Sequence, residues 1–140
     1  MMNDALQSKI LELLDNHKIG TLATIQDDKP YSRFMLFFHD ELTLYTATNK
    51  ETHKVDDLGQ NPNVHILLGV QDAGFSGAYC EIEATATIED SKEKKEKYWS
   101  DKLSKWLGGP DDPNYVLLHL KPQKIRYFAD SSSKAEVLEL

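Results

Sequence analysis

Residues 79–89 read YCEIEATATIE, and this stretch decides the fold class. Apolar and polar side chains alternate along it, and the apolar face consists of Cys80, Ile82, Ala84, Ala86 and Ile88. A period of two is typical of a β-strand, because successive side chains point to opposite faces of a sheet. The apolar face is expected to pack on a core, which makes Cys80 a buried and unreactive thiol.

Further segments with the composition of strands lie on both sides of this stretch. They are IGTLATIQ (19–26), YSRFMLFFHD (31–40), LTLYTA (42–47), NVHILLGV (63–70), YVLLHL (115–120) and KIRYF (124–128), with turns at DDKP (27–30) and at Pro122. Short connections favour antiparallel pairing, and strands and helices do not alternate regularly enough for a doubly wound parallel sheet. The sequence predicts one mainly β (α+β) domain over residues 1–130, a six- to seven-stranded antiparallel barrel with peripheral helices, and a loose tail at 131–140.

Three segments are predicted to form the helices. Near the N-terminus, Leu6, Ile10, Leu13 and Leu14 share one helical face, with Asn3 or Asp4 as the N-cap and an end near His17. TNKE (48–51) matches a capping box and predicts a helix from about Asn49 to Leu58 that stops at Gly59. SKEKKEKYWSDKLSKWL (91–107) is interpreted as one amphipathic helix, capped by Ser91, with its apolar stripe at Trp99, Leu103, Trp106 and Leu107.

Composition excludes several classes of function. The chain has 140 residues, with 16 Lys and Arg against 23 Asp and Glu, and its net charge of −7 argues against binding to nucleic acid or an anionic membrane. The single cysteine, Cys80, excludes an intrachain disulfide and fits a reducing cytoplasm. The five histidines have no metal-ligand spacing, so no metal site is expected. Neither a signal peptide nor a membrane span is indicated, and we expect a cytoplasmic protein.

A candidate anion site lies where the third strand is followed by a helix. Thr52, His53 and Lys54 are expected in the first turns of that helix, close to Lys50. Unpaired N–H groups and the positive end of the helix dipole favour an anion there. The lysines oppose that dipole, and an anionic ligand would resolve the conflict. The alternative is a capped surface helix with solvated lysines.

Arg33 is the second candidate. It lies in a strand otherwise built of Phe34, Met35, Leu36 and further apolar residues, where a guanidinium is costly unless it is paired or reaches the rim. One interpretation is a salt bridge to Glu81 or Glu83. The other is a phosphate clamp, which would use the planar fork of donors.

The motifs RFML (33–36), LYTAT (44–48), THK (52–54) and NPNV (61–64) together resemble the pyridoxamine 5′-phosphate oxidase-like, flavin-binding split-barrel family. The later segments YWSDKLSKWLGGPDDPN and YVLLHLKPQKIRYF resemble its general stress protein 26 branch. The resemblance implies a split barrel that binds FMN, or alternatively FAD, and a homodimer with its flavin sites at the subunit interface. It implies that Arg33, Thr52 and Lys54, beside His53, hold the flavin phosphate.

The same resemblance assigns roles to the neighbouring residues. The strand backbone at Phe34, Met35 and Leu36 would line the isoalloxazine edge, and Tyr45 and Thr46 would flank the ribityl chain and phosphate. Trp99 or Trp106 would reach the flavin from the partner chain, although helix core is the simpler interpretation of at least one of them.

The function expected is that of a flavin-dependent oxidoreductase with a stress-related role, whose substrate and catalytic residues stay unknown. The alternatives are a non-catalytic flavin-binding or sequestering stress protein, and a dimeric domain with no cofactor. A true pyridoxamine 5′-phosphate oxidase is not expected. By the resemblance, Phe38 stands where the oxidases have a lysine for the substrate phosphate. The oxidases also carry a C-terminal tryptophan and an arginine–histidine pair near the flavin and substrate, whereas neither tryptophan nor histidine follows His119 here.

Overall fold

The computed structural model describes residues 4–69 and 77–140, apart from the side chains of His53 and Lys54. The described helices are α1 (Asp4–Asn16), α2 (His53–Gln60) and α3 (Lys92–Lys97), with a 3₁₀ helix at Asp101–Lys105. The strands are β1 (Ile19–Gln26), β2 (Lys29–Asp40), β3 (Thr43–Asn49), β4 (Asn63–Gly69), β5 (Tyr79–Glu89), β6 (Tyr115–Phe128) and β7 (Glu136–Glu139).

Six strands form a closed antiparallel barrel, and β7 extends the sheet. The strand order is β3-β2-β1-β4-β5-β6-β7, and an additional pairing of β3 with β6 closes the barrel. The 14-residue length of β6 makes the closure possible, because its first half pairs with β3 and its second half with β7, while β5 runs beside most of it. The predicted mainly β antiparallel barrel with peripheral helices is confirmed.

The turn between β1 and β2 sets the register of the strand that carries Arg33. Asp27 and Asp28 both have positive φ, at 50° and 63°, as in the two-residue hairpin turn whose twist matches that of the strands. This register places Arg33 opposite Leu22, on the face that turns toward the barrel interior. Phe34 therefore faces outward, opposite Thr21.

Two apolar cores occupy opposite faces of β3 and β6. The first fills the barrel and receives the predicted apolar stripe of α1. The second lies outside the barrel, where Tyr45 and Leu117 pack against residues that follow α3, among them Tyr98, Leu103 and Leu107. This second core holds residues 98–107, which we call the covering segment, against the outer face of β2 and β3.

The predicted capping box at TNKE is wrong. Thr48 and Asn49 pair with Val116 and Tyr115 of β6, so β3 continues to Asn49. The helix begins four residues later than predicted, with Thr52 as its N-cap, and runs through Gly59 to Gln60. Long-range strand pairing therefore overrides the local capping signal.

The long amphipathic helix is also wrong. The predicted cap is confirmed, because the Ser91 side chain accepts a hydrogen bond from the Lys94 amide, but α3 ends at Lys97. The Ser100 side chain then accepts from the Lys102 amide and begins the separate 3₁₀ helix. A second serine cap thus begins a separate helical turn, and Tyr98 and Leu103 on its two sides pack in the outer core.

The turn predicted at Pro122 and the loose tail are corrected as well. Strand β6 runs through Pro122, and Gln123 is the extra residue of a bulge there, since Glu83 pairs with Lys124 and Ala84 with Pro122. A bulge accommodates proline, which has no N–H for the ladder. The tail at 131–140 contains β7, whose Leu138 is 6% exposed and packs in the barrel core.

Candidate functional site

A cleft of about 520 Å³ lies between the outer face of β2 and β3 and the covering segment. Its apolar walls are formed by Phe34, Met35, Leu36, Ala47, Leu103, Trp106 and Leu107. Its polar lining residues are Thr48, Asn49, Glu51 and Thr52, at the end of β3 and the start of α2. An apolar space with a polar region suits a ligand with a flat apolar part and a polar tail.

Five of the residues predicted from the sequence meet in this cleft: Phe34, Met35, Leu36, Thr52 and Trp106. Strand β2 supplies the first three, and alternation gives them different roles. Phe34 is 78% exposed on the outer face, whereas Met35 packs against the barrel core. At Met35, therefore, the strand backbone faces the cleft.

Arg33 lies beside the barrel interior and does not line the cleft. Its Nη1 donates to Thr24 Oγ1 at 2.8 Å and to the Leu22 carbonyl at 3.3 Å. The interpretation of Arg33 as a partner of Glu81 or Glu83 is wrong, because Arg126 pairs with Glu83. Burial lowers the pKa of Arg33, and the nearby Asp57 carboxylate of α2 raises it.

The orientation of the Arg33 guanidinium is set by Nη1 alone. Both of its hydrogen bonds to described residues use that nitrogen, so Nη2 and Nε of the fork have no partner among residues 4–69 and 77–140, leaving aside the side chains of His53 and Lys54. An arginine stays protonated at any physiological pH. A charged and oriented donor therefore lies within electrostatic range of Asp57 in α2.

The side chains of Tyr45 and Thr46 are occupied elsewhere. Thr46 is fully buried, and its hydroxyl donates to the Leu36 carbonyl at 2.7 Å, which braces β2 beside the cleft. Tyr45 stacks on Tyr98 with ring centroids 4.7 Å apart, and its hydroxyl accepts from Lys94 Nζ at 3.2 Å. Neither residue is among those that line the cleft.

The N-terminus of α2 is the polar end of the cleft. The Thr52 side chain forms no capping hydrogen bond, and its hydroxyl lies 3.5 Å from the Thr48 hydroxyl. Helix N-termini carry N–H groups that α-helical bonding does not satisfy. The side chains of His53 and Lys54 lie outside the described part of the chain, so their predicted roles stay predictions.

The two tryptophans have different environments. Trp99 packs edge-on against Tyr115, with ring centroids 5.6 Å apart, and belongs to the outer core as the simpler interpretation predicted. Trp106 is 69% exposed and lines the cleft of its own chain. Trp99 therefore has a packing role, whereas Trp106 is accessible to a ligand in the cleft.

Sequence reasoning missed Ala47, Thr48, Asn49 and Glu51 as lining residues, and gave Leu103 and Leu107 only a packing role. The first group follows the LYTAT motif directly and was assigned to a helix, so continuing the strand would have found it. The leucines carry no signal of their own. They line the cleft because the covering segment bends after Lys97.

Other kinds of site find no support in the described residues. Among residues 4–69 and 77–140, His, Cys, Asp and Glu form no group of three or more that could hold a metal ion. None of the helices in those ranges is both long and apolar enough to cross a membrane. Cys80 is fully buried as predicted, and burial raises the pKa of its thiol to about 12.

Known proteins are similar to this chain over most or all of its length. The sequence model of the pyridoxamine 5′-phosphate oxidase family matches residues 6–129. General stress protein 26 of Bacillus subtilis (strain 168) is 49% identical over 140 residues, which are 100% of both chains. The crystal structure of general stress protein 26 from Bacillus anthracis str. Sterne is 40% identical, with a TM-score of 0.88 over 96% of this chain and 98% of that one.

A candidate pyridoxamine 5′-phosphate oxidase from Listeria innocua is 38% identical, with a TM-score of 0.77 over 87% of this chain and 97% of that chain. Both the sequence motifs and the barrel thus lead to one assignment. The chain belongs to the pyridoxamine 5′-phosphate oxidase family, within the branch that includes general stress protein 26.

Proposed function

We propose that this protein binds a flavin nucleotide in the cleft and acts as a flavin-dependent oxidoreductase. Its family generally binds flavin or a related cofactor, and the similarity to general stress protein 26 supports a stress-related role. FMN is the first choice and FAD the alternative. One observation carries the proposal: the apolar walls of the cleft end at a helix N-terminus whose N-cap side chain, that of Thr52, forms no capping hydrogen bond.

The residues of the cleft fit the two halves of FMN. The apolar walls at Leu36, Leu103 and Leu107 suit the flat isoalloxazine ring. The polar end at Thr48 and Thr52 offers hydroxyls, and the amides at the start of α2 offer donors for a phosphate. A bound flavin would supply the redox chemistry, which no side chain of this cleft can perform.

Arg33 is proposed to complete the phosphate site. Its Nη1 is held by Thr24 and Leu22, and the remaining donors of the fork have no partner among the described residues. A guanidinium fixed in this way loses little entropy when it binds a phosphate, and its planar fork matches the oxygens. Lys54 would add charge, as the sequence predicts.

Glu51 is the lining residue that opposes an anion. It is exposed, and its amide donates to Asn49 Oδ1 at 2.9 Å, which fixes the backbone at the end of β3. Solvent and salt screen an exposed carboxylate, so its repulsion is small compared with hydrogen bonds from Arg33 and α2. The charge of Glu51 is therefore compatible with a phosphate bound at this end of the cleft.

We also propose a homodimer whose interface adjoins the cleft. Phe34 and Leu67 both lie opposite Thr21 in neighbouring strands and are 78% and 41% exposed, while Ile19 on the same face is 58% exposed. We call these three residues the apolar patch. Such a contiguous patch favours an isologous contact with a second copy. Because Phe34 also lines the cleft, the partner chain would come close to the cofactor.

Pyridoxamine 5′-phosphate is not the proposed substrate. Phe38, which stands where the true oxidases have a lysine, packs on Tyr98 with ring centroids 5.8 Å apart and has no donor for a phosphate. The alternative to an oxidoreductase is a non-catalytic flavin-binding or sequestering stress protein. A cytoplasmic location stays a prediction.

The proposal is tested by purifying the protein and extracting its cofactor for mass identification. We expect a yellow protein that releases FMN, or FAD if the alternative holds. Turnover of NADH or NADPH with an electron acceptor then distinguishes the oxidoreductase from a flavin store. A colourless protein that does not take up added flavin would refute the proposal.

A further inference from the structure

Trp106 is presented to the cleft by a segment that buries its neighbours. Leu103 and Leu107 are 4% and 5% exposed and anchor the covering segment to the outer core. Trp106, between them, is 69% exposed and lines the cleft. An indole is costly to leave in water and readily stacks on a planar ring.

Hydrogen bonds fix the backbone around Trp106. The amides of Trp106 and Leu107 both donate to the Leu103 carbonyl at 3.0 Å. Just beyond, the Gly108 amide donates to Asp112 Oδ2 at 2.7 Å, and Asp112 Oδ1 accepts from the Asn114 amide at 2.9 Å. The indole is thus held on a braced turn and needs little ordering to meet a ligand.

We propose that Trp106 covers the planar ring of the cofactor bound in the cleft of its own chain. This inference rests on the proposed function and specifies which part of the flavin the residue recognises. Phe34, Leu36 and the β2 backbone line the cleft from the barrel, and Trp106 with Leu107 lines it from the covering segment. A tryptophan in this position stabilises the bound ring by stacking and does not affect binding of the phosphate.

The cofactor fragments distinguish this role. Lumiflavin carries the ring without ribityl chain or phosphate, so it serves as the ring probe beside FMN. Trp106→Ala should weaken both by about tenfold to a hundredfold, the range for aromatic stacking on a planar base. Trp106→Phe should retain most of the affinity, because a smaller ring still stacks.

Three outcomes are separable in these titrations. A wild-type protein that binds neither probe overturns both the proposed function and this inference. Wild-type binding that Trp106→Ala leaves unchanged overturns only the inference. A loss that affects FMN but not lumiflavin also overturns it, because the residue would then act on the phosphate or the fold.

The visible absorption band of lumiflavin gives an independent readout, because stacking on an indole perturbs this band. The shift on binding should be the same in the wild type and in Trp99→Phe, because Trp99 does not line the cleft. Trp106→Ala should show a smaller shift. Equal shifts in Trp99→Phe and Trp106→Ala would contradict the stacking role.

Mixing subunits decides whether Trp106 acts within its own chain. Arg33→Ala and Trp106→Ala variants are unfolded together, refolded together and titrated with FMN. If Trp106 acts in its own chain, every site keeps one defect and affinity is not recovered. Recovery of tight binding in a fraction of sites would show that the partner chain supplies the indole and would overturn the proposal.

Discussion

Replacing Thr24 by valine should destabilise the protein by removing the main anchor of Arg33. The Thr24 side chain is fully buried, and its hydroxyl accepts the 2.8 Å hydrogen bond from Arg33 Nη1. Valine keeps the shape of threonine and cannot accept a hydrogen bond. The Leu22 carbonyl, at 3.3 Å, would remain as the longer and weaker contact of that nitrogen.

The magnitude follows from the charge on the donor. Hydrogen bonds to charged groups contribute about 1.5–3 kcal/mol, and an unsatisfied half-buried donor adds a desolvation penalty of similar size or less. We expect the free energy of unfolding to fall by about 2 kcal/mol. For a chain of this length, that corresponds to a melting temperature lower by about 5–10 °C.

The assay is thermal or urea unfolding followed by circular dichroism. Thr87→Val is the matched control, because Thr87 lies on the exposed face of β5, and it should change stability by less than about 0.5 kcal/mol. In an Arg33→Met background, Thr24→Val should cost much less, since removing both partners leaves no buried donor unpaired. Equal effects of Thr24→Val and Thr87→Val, or no coupling to Arg33, would refute the reasoning.

Light scattering should give twice the mass of one chain, and Leu67→Asp, which alters the apolar patch outside the cleft, should give the monomer; a monomeric wild type would contradict the dimer. Aerobic incubation with pyridoxamine 5′-phosphate should form little pyridoxal 5′-phosphate, because Phe38 cannot bind the substrate phosphate, and turnover like that of a genuine oxidase would contradict this. Amide hydrogen bonds from Gly108 and Asn114 lower the pKa of Asp112. Its contribution to stability is therefore complete above an ordinary pKa of about 3.9 and is lost as pH falls through the lowered value. Between pH 6 and pH 3, the melting temperature should fall less steeply for Asp112→Asn than for the wild type. An equal fall in the two proteins would contradict the stabilising role of these hydrogen bonds to Asp112.

Local patterns in the sequence predicted the barrel well. The alternation in YCEIEATATIE gave a half-buried strand, and the structure buries its apolar face from Cys80 to Ala86, with Ile88 left exposed. The dipeptide Asp27-Asp28 gave the tight turn. These features depend on neighbours in the chain, so the sequence contains the information directly.

The errors arose where distant residues decide the structure. TNKE satisfies a local capping rule, but the pairing of Asn49 with Tyr115 keeps it in a strand. No local sequence signal near Pro122 predicts the bulge. The tail forms β7 because the edge of β6 is available for pairing. Capping and turn rules use only neighbouring residues, so they cannot predict strand pairing across the barrel.

The candidate site was predicted in part for the same reason. The family motifs identified the cleft strand at Phe34, Met35 and Leu36, together with Thr52 and Trp106. They also predict that Tyr45 and Thr46 flank the ribityl chain and phosphate, which stays a prediction; in the structure the Tyr45 side chain packs in the outer core and the Thr46 hydroxyl donates to the Leu36 carbonyl. A motif fixes the order of residues, whereas the direction of each side chain depends on packing.

An equilibrium titration of FMN fluorescence with the purified, cofactor-free protein tests the central claim most directly. We predict saturable quenching, with FMN bound more tightly than riboflavin, which lacks the phosphate. Arg33→Ala should weaken FMN binding by about tenfold to a hundredfold and leave riboflavin unchanged, and Lys121→Ala, an exposed lysine on β6, should change neither. FMN fluorescence that stays constant as the wild-type protein is added would contradict the account.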